Sequence, residues 1–166
     1  MQFLTFENLN FFAKKWKTLD AFAIFFARYL PYLLFCFLIA FSFYYDFINI
    51  FLGALVAGCI GRLINEFVHI FYKIKRTAYL TGTKVLVPFA KNYSFPSGHA
   101  SFFFGISFYL FFYFKLLGTI FLLLSFLIGI ARVFCGVHWT KDIFGGVFTG
   151  LISAFVINYF LINLWI

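Results

Sequence analysis

Two short polar segments interrupt a chain that otherwise consists of long apolar runs. The first reads Pro-Ser-Gly-His at positions 96–99, and the second contains Arg132, His138 and Asp142. Ionisable residues beside membrane-spanning segments cost free energy and usually have a function. One histidine can attack phosphorus, another can donate a proton, and an arginine can hold phosphate oxygens. These residue types therefore predict a site that handles phosphate.

The local spacing supports this chemistry. Ser97 and Gly98 at the start of a helix offer free backbone N–H groups to an anion, and glycine lets the backbone approach closely. His138 and Asp142 are four residues apart, so in a helix they share one face. The carboxylate can then fix the imidazole tautomer and leave the other ring nitrogen as a nucleophile.

The composition places the chain in a lipid bilayer. Of its 166 residues, 64% are apolar and 11% are charged, and the mean hydropathy is +1.00. Soluble domains are typically about 45–50% apolar and about 25% charged. The net charge of +8 fits anionic lipid headgroups better than nucleic acid, because the aromatic residues lie inside the apolar runs. We expect one integral membrane domain, 1–166, with the bilayer as its partner and no nucleic acid.

The apolar runs predict an all-α fold, a polytopic transmembrane helical bundle with about five spans. A span needs about 20 mostly apolar residues. The candidates are 21–45, 47–67, 97–115, 116–135 and 143–166. Pro31 can split the first run into an interfacial turn and a shorter span. Residues 1–19 show the pattern of an amphipathic helix that lies in the interface, and 73–96 form a basic loop.

This topology brings the polar residues to one side of the membrane. The second span ends before the basic loop and the third begins after it, at His99. The fourth span returns, so Arg132 and the residues that open the fifth span come back to the same side. The basic loop adds Lys75, Arg76 and Lys84 as candidate phosphate-binding residues.

Other polar or sulfur-containing residues favour structural roles. The cysteines show no metal-type spacing and are interpreted as packing residues without a disulfide; they are Cys36, Cys59 and Cys135. A local ion pair or hydrogen-bonded set is expected near the end of the second span, formed by Arg62, Asn65, Glu66 and His69.

The chain resembles the type 2 phosphatidic acid phosphatase superfamily of membrane lipid phosphatases over about residues 71–146. Its Pro-Ser-Gly-His motif is complete, and its Ser-Arg-x5-His-x3-Asp motif is present with Ala131 in place of serine. The first motif of the family, Lys-x6-Arg-Pro, is not matched, because the chain contains no Arg-Pro. Arg76 is the favoured equivalent, with His69 seven positions earlier; a second register pairs Lys84 with Lys91.

The resemblance implies a mechanism without a metal or another cofactor. His138 would form a phosphohistidine, Asp142 would orient it, and His99 would protonate the leaving oxygen and then activate water. The phosphoryl oxygens would be held by Arg132, Ser97, Gly98, Arg76 and either Lys75 or Lys84.

The implied function is that of a hydrolase of lipid phosphates, acting on undecaprenyl diphosphate, phosphatidylglycerolphosphate or lipid A 1-phosphate. The alternatives are a lipid-to-lipid phosphotransferase, which would share the phosphohistidine, and a non-catalytic lipid-binding protein. The replaced serine and the missing Arg-Pro favour the last, and the intact histidines and aspartate argue against it. The distribution of Lys and Arg predicts a cytoplasmic site, whereas the resemblance implies the periplasmic face of a bacterial inner membrane, which we adopt.

Overall fold

Five helices form most of the fold in the described part of the chain. The computed structural model describes residues 9–45, 47–89 and 93–164, with side chains described as far as residue 161. The helices are α1 (Lys17–Tyr44), α2 (Ile48–Phe71), α3 (Gly98–Tyr113), α4 (Lys115–Phe134) and α5 (Thr140–Leu164). No strand occurs in these ranges; a single isolated bridge joins Lys75 and Tyr93. The predicted all-α bundle is confirmed.

Four of the helices are long and apolar enough to cross a membrane, namely α1, α2, α4 and α5. The remaining helix, α3, has 16 residues, which corresponds to about 24 Å at 1.5 Å per residue. That length is shorter than the hydrocarbon core of about 30 Å. The third predicted span is therefore a short helix, and its neighbours surround it.

The core of the bundle lies around α3, which packs against α2, α4 and α5. Close contact is possible because glycines face each other across these interfaces. A Cβ atom added to Gly105 would lie 2.9 Å from the carbonyl oxygen of Ala57, and one added to Gly150 would lie 2.7 Å from the amide nitrogen of Gly105. Small residues thus let three helix backbones approach closely.

Helix α1 continues through Pro31, so the predicted split of the first run is wrong. The helix widens into a π-helical turn at Phe25–Tyr29, where the N–H of Leu30 donates to the carbonyl of Phe25. Proline has no N–H to give to the carbonyl four residues before it. That carbonyl belongs to Ala27, and it accepts a hydrogen bond from Arg132 on α4 instead.

The N-terminal segment differs in part from the predicted interfacial helix. Residues 1–8 lie outside the described part of the chain. Residues 11–15 form turns, and α1 already begins at Lys17. Lys14 has a φ of 62°, and its N–H donates to the carboxylate of Asp20 at 3.0 Å. This side chain closes the turn and directs the chain into α1.

A buried polar cluster joins the helices α2, α3 and α5. The amide of Asn65 on α2 donates to Ser101 of α3 at 2.5 Å, and the Ser101 hydroxyl lies 2.7 Å from the hydroxyl of Thr149 on α5. Thr149 also donates to Asn65 at 3.2 Å, so the ring of bonds is closed. Asn65 therefore holds helices together, and is not part of the local set predicted from its spacing.

Candidate active site

Two loops meet above the ends of the helices. The hydroxyl of Thr77, after α2, donates to the carbonyl of Gly136 at 2.8 Å, and the indole N–H of Trp139 donates to the carbonyl of Lys75 at 3.1 Å. Gly136 has a φ of +76°, which favours glycine, and a Cβ there would lie 2.7 Å from the carbonyl oxygen of Lys84. The loop after α2 is thereby fixed against the connection between α4 and α5.

The start of α3 is tied to the start of α5. Ser97 is the N-cap, and its hydroxyl accepts from the N–H of Ala100 at 3.5 Å. The Ser97 N–H donates to the carbonyl of Asp142 at 2.9 Å. Gly98 and His99 follow in the first turn, so their position is set directly by the segment that carries Asp142.

His138 and Asp142 form a buried pair. Nδ1 of His138 lies 3.2 Å from Oδ2 of Asp142, which also accepts from the N–H of Trp139 at 2.8 Å. Both side chains are buried. The carboxylate therefore accepts a hydrogen bond from Nδ1–H, and the backbone N–H of Trp139 fixes the carboxylate in turn.

Arg76 fixes the protonation state of Nε2, the other ring nitrogen of His138. Its Nη1 lies 3.1 Å from Nε2 of His138 and donates to the carbonyl of Val137 at 3.0 Å. A guanidinium has no acceptor, so Nε2 must present its lone pair. The two contacts together select the neutral tautomer with its proton on Nδ1.

The charges around His138 favour the same form. Burial, followed by the positive charges of Arg132 and Arg76, holds the pKa of His138 well below its ordinary value. Burial also lowers the pKa of the Arg76 guanidinium, and Asp142 opposes that effect. His138 is thus a neutral base with a directed lone pair, flanked by cations.

Arg132 approaches from the end of α4. Its Nη1 donates to the carbonyl of Ala27 at 3.3 Å, and its Nε is buried without a hydrogen-bond partner among the described residues. Only 7% of the residue is exposed. A guanidinium held in this way keeps donors available for an anion in the cavity.

These groups surround one polar cavity of about 310 Å³. Five of the predicted site residues line it, namely Arg76, Gly98, His99, Arg132 and His138. Asp142 lies directly behind His138. A larger cavity of about 610 Å³ lies at the other end of the bundle, but the residues that line it carry no charged group. The chemistry therefore points to the smaller cavity.

Three predicted phosphate-binding residues do not line the cavity. Lys75 is exposed beside it, and the ammonium of Lys84 donates to the carbonyl of Phe11 at 3.0 Å. Ser97 is buried as the N-cap. Of the two proposed registers, the structure places Arg76 at the cavity; Lys91 of the other register lies outside the described residues.

Sequence reasoning did not assign Arg62 and Arg28 to the site, although both line the cavity. In a sequence, an arginine inside an apolar helix looks the same whether it binds a ligand, reaches toward the headgroups or pairs with a neighbouring residue. The missed signal is the depth of Arg62 within α2. Glu66 and His69 line the same wall, with Nδ1 of His69 3.9 Å from a carboxylate oxygen of Glu66.

Solved structures resemble the whole fold. The crystal structure of Aquifex aeolicus LpxE superposes with a TM-score of 0.77 at 30% identity, over 93% of this chain and 92% of that one. A PAP2-type phosphatidylglycerolphosphate phosphatase from Bacillus subtilis superposes with a TM-score of 0.68 at 22% identity, over 95% of this chain and 83% of that one. The second likeness concerns the fold alone.

Two curated relatives match about three fifths of this chain. The Bacitracin transport permease protein BcrC of Bacillus licheniformis is 34% identical over 60% of this chain and 47% of its own length. The Undecaprenyl-diphosphatase BcrC of Bacillus subtilis (strain 168) is 27% identical over 61% of this chain and 52% of its own length. The matched region thus spans about half the length of these relatives.

Together with the four apolar helices, these relatives identify a multi-pass membrane protein. The family described as the PAP2 superfamily matches residues 66–166, which is more than half of the sequence and includes every cavity residue except those of α1 and Arg62. The chain belongs to the PAP2 superfamily.

Proposed function

We propose that this protein is a lipid phosphatase that removes phosphate from a membrane lipid through a phosphohistidine on His138. One observation carries the proposal: Asp142 and Arg76 hold His138 with a lone pair on Nε2, and His138 lines a cavity that His99 and Arg132 also line. A nucleophile, a proton donor and fixed cations within one polar cavity are what phosphoryl transfer requires.

In the first step, Nε2 of His138 attacks phosphorus while the bond from phosphorus to the leaving oxygen breaks. His99 gives its proton to that oxygen. The N–H at Nδ1 stays hydrogen-bonded to Asp142, whose charge stabilises the imidazolium as it forms. The products of this step are the dephosphorylated lipid and phosphohistidine.

In the second step, His99 takes a proton from water, and the water oxygen attacks phosphorus. The bond between phosphorus and Nε2 breaks, so inorganic phosphate leaves and His138 returns to its neutral form. Arg132 and Arg76 hold the phosphoryl oxygens in both steps, where fixed donors stabilise the developing charge.

The position of the cavity supports a lipid as the substrate. Its walls include residues of α1 and α2, which are candidate membrane spans. A headgroup can enter the cavity while its chains remain among the helices. Since the B. subtilis relative is an undecaprenyl-diphosphatase, we favour a lipid diphosphate and place the site on the periplasmic or extracytoplasmic face of a bacterial inner membrane.

The test is phosphate release by the purified protein in detergent with EDTA present. The substrates are undecaprenyl diphosphate, phosphatidylglycerolphosphate, phosphatidic acid and lipid A. We expect turnover that His138→Ala abolishes and that Lys115→Gln, a change at the far end of the bundle, leaves intact. Turnover quenched with an alkaline denaturant, followed by mass spectrometry without an acid step, should place a phosphoryl group on His138.

Two outcomes would contradict the proposal. Equal turnover by His138→Ala would remove His138 as the nucleophile. Absence of turnover on every lipid, with a folded wild-type protein, would favour the non-catalytic lipid-binding alternative. Addition of a lipid alcohol as acceptor distinguishes hydrolysis from phosphotransfer, because a transferase would form a new lipid phosphate.

A further inference from the structure

The cavity contains more positive charge than the transfer of one phosphoryl group uses. Arg76 and Arg132 flank His138. Arg62 on α2 and Arg28 on α1 line the same cavity. Among the described residues, neither guanidinium makes a hydrogen bond or an ion pair, and that of Arg28 lies 5.5 Å from the ring centroid of Tyr29. The cavity therefore offers a second set of cations.

Arg62 lies deep in a helix that spans the membrane. Nine residues separate it from the end of α2 at Phe71, which corresponds to about 13 Å of helix. A cation at this depth is costly unless it faces a polar cavity and an anion. Arg62 lines such a cavity, as does Glu66, and an anionic ligand that enters the cavity is a suitable partner for the guanidinium.

The position of Arg62 relative to His99 indicates which part of a ligand it meets. A Cβ added to Gly98 would lie 3.5 Å from Nη1 of Arg62, so the guanidinium lies over the first turn of α3, beside His99. His99 is the proton donor to the leaving oxygen in the proposed mechanism. Arg62 is therefore on the side of the leaving group.

We propose that Arg62 binds the second phosphate of a lipid diphosphate, and so determines a preference for diphosphates over monophosphates. This inference rests on the proposed function. When Nε2 of His138 attacks the terminal phosphorus, the bond to the bridging oxygen breaks and the leaving group is a lipid monophosphate. Arg62 neutralises the charge that this phosphate gains, and its planar fork matches two phosphate oxygens.

The experiment compares farnesyl diphosphate with farnesyl monophosphate as substrates for wild type, Arg62→Gln, Arg62→Lys and Lys115→Gln. We expect Arg62→Gln to lower kcat/KM about 10- to 100-fold for the diphosphate and less than about threefold for the monophosphate. Arg62→Lys should restore part of the preference, since it keeps the charge and loses the fork. Lys115→Gln removes an equal charge far from the cavity and should change neither value.

The retained monophosphate activity shows that Arg62→Gln is folded. Equal losses on both substrates, or no loss on the diphosphate, would overturn the assignment of Arg62. Should wild type hydrolyse neither farnesyl substrate and none of the four lipids above, the proposed function fails, and a second measurement still tests the role of Arg62. Inorganic pyrophosphate should then raise the Tm of wild type more than inorganic phosphate does, and Arg62→Gln should abolish that difference; an unchanged difference would overturn the proposal.

Discussion

Arg76 donates a hydrogen bond to Nε2 of His138 across 3.1 Å, so the cation and the lone pair that are proposed to act on phosphate are in direct contact. The same nitrogen of Arg76 also donates to the carbonyl of Val137 at 3.0 Å, which fixes its position. A phosphoryl oxygen that binds Arg76 competes with Nε2 for this N–H. Binding of the phosphate therefore frees the nucleophile at the place where phosphorus arrives.

This contact predicts the behaviour of Arg76 variants. Arg76→Gln should lower kcat/KM about 100-fold or more, because it removes a fixed donor from the transition state. Arg76→Lys should recover only part of the loss, since an ammonium cannot donate to the oxygen, to Nε2 and to the Val137 carbonyl in the same geometry. Phosphate release at several substrate concentrations measures both effects. Activity of Arg76→Gln within threefold of wild type would exclude this role.

The acid limb of the pH dependence of kcat/KM should follow the protonation of His138. Burial and the charges of Arg132 and Arg76 hold its pKa well below the ordinary histidine value. Protonation of Nε2 removes the nucleophile, so kcat/KM falls as the pH falls through this pKa. The acid limb of the profile should therefore lie below pH 6.5, the ordinary value of histidine.

A substitution at Arg76 tests the direction in which its charge shifts the pKa of His138. Because Arg76 contributes to the lowered pKa, Arg76→Gln should move the acid limb to higher pH. A ³¹P NMR titration measures the pKa of the substrate phosphate, so that ionisation of the substrate can be separated from ionisation of the enzyme. An acid limb at or above pH 6.5 in wild type, or a shift to lower pH in the variant, would contradict this account.

His99, His138, Arg132 and Asp142 could be placed on one side of the bundle from the sequence, because their spacing puts them at helix ends. Arg62 could not be placed there, because its depth in an apolar run indicates a polar partner but the rotation of the helix decides whether it faces lipid or the cavity. Lys84, which was predicted to bind phosphate, does not line the cavity for a different reason. The position of its loop is set by hydrogen bonds with Asn10, which is 74 residues away in the sequence. No local sequence pattern reveals such contacts.

The polar cluster of Asn65, Ser101 and Thr149 should stabilise the bundle. Asn65→Ala leaves two buried hydroxyl groups without their amide partner. Hydrogen bonds between membrane helices contribute about 0.6 to 1.7 kcal/mol, and we expect a loss of that size and a lower Tm in detergent. Cys59→Ala, at an exposed position on the same helix, serves as the control. A double-mutant cycle with Thr149→Val that shows no coupling would rule out the cluster as a stabilising unit.

Asn10 connects the N-terminal segment to the site loop. Its amide donates to the carbonyls of Lys84 and Phe134 at 2.9 and 2.8 Å, and its oxygen accepts from the N–H of Lys84 at 3.0 Å. Asn10 is 5% exposed, so all three groups would lose a buried partner in Asn10→Ala. Each such loss costs about 1–3 kcal/mol when the remaining group stays unsatisfied.

The loop that Asn10 holds also carries Arg76, and its Leu86 N–H donates to the carbonyl of Cys135 at 3.1 Å. Asn10→Ala should therefore increase hydrogen–deuterium exchange at Leu86 and raise KM more than it lowers kcat, because Arg76 loses its fixed position for the incoming phosphate. Asn49→Ala is the matched control, since Asn49 is exposed at the opposite end of α2 and lines the other cavity. Unchanged exchange at Leu86 together with unchanged KM would mean that the loop keeps its position without Asn10, and that the contacts between Thr77 and Gly136 and between Lys75 and Trp139 suffice to fix Arg76.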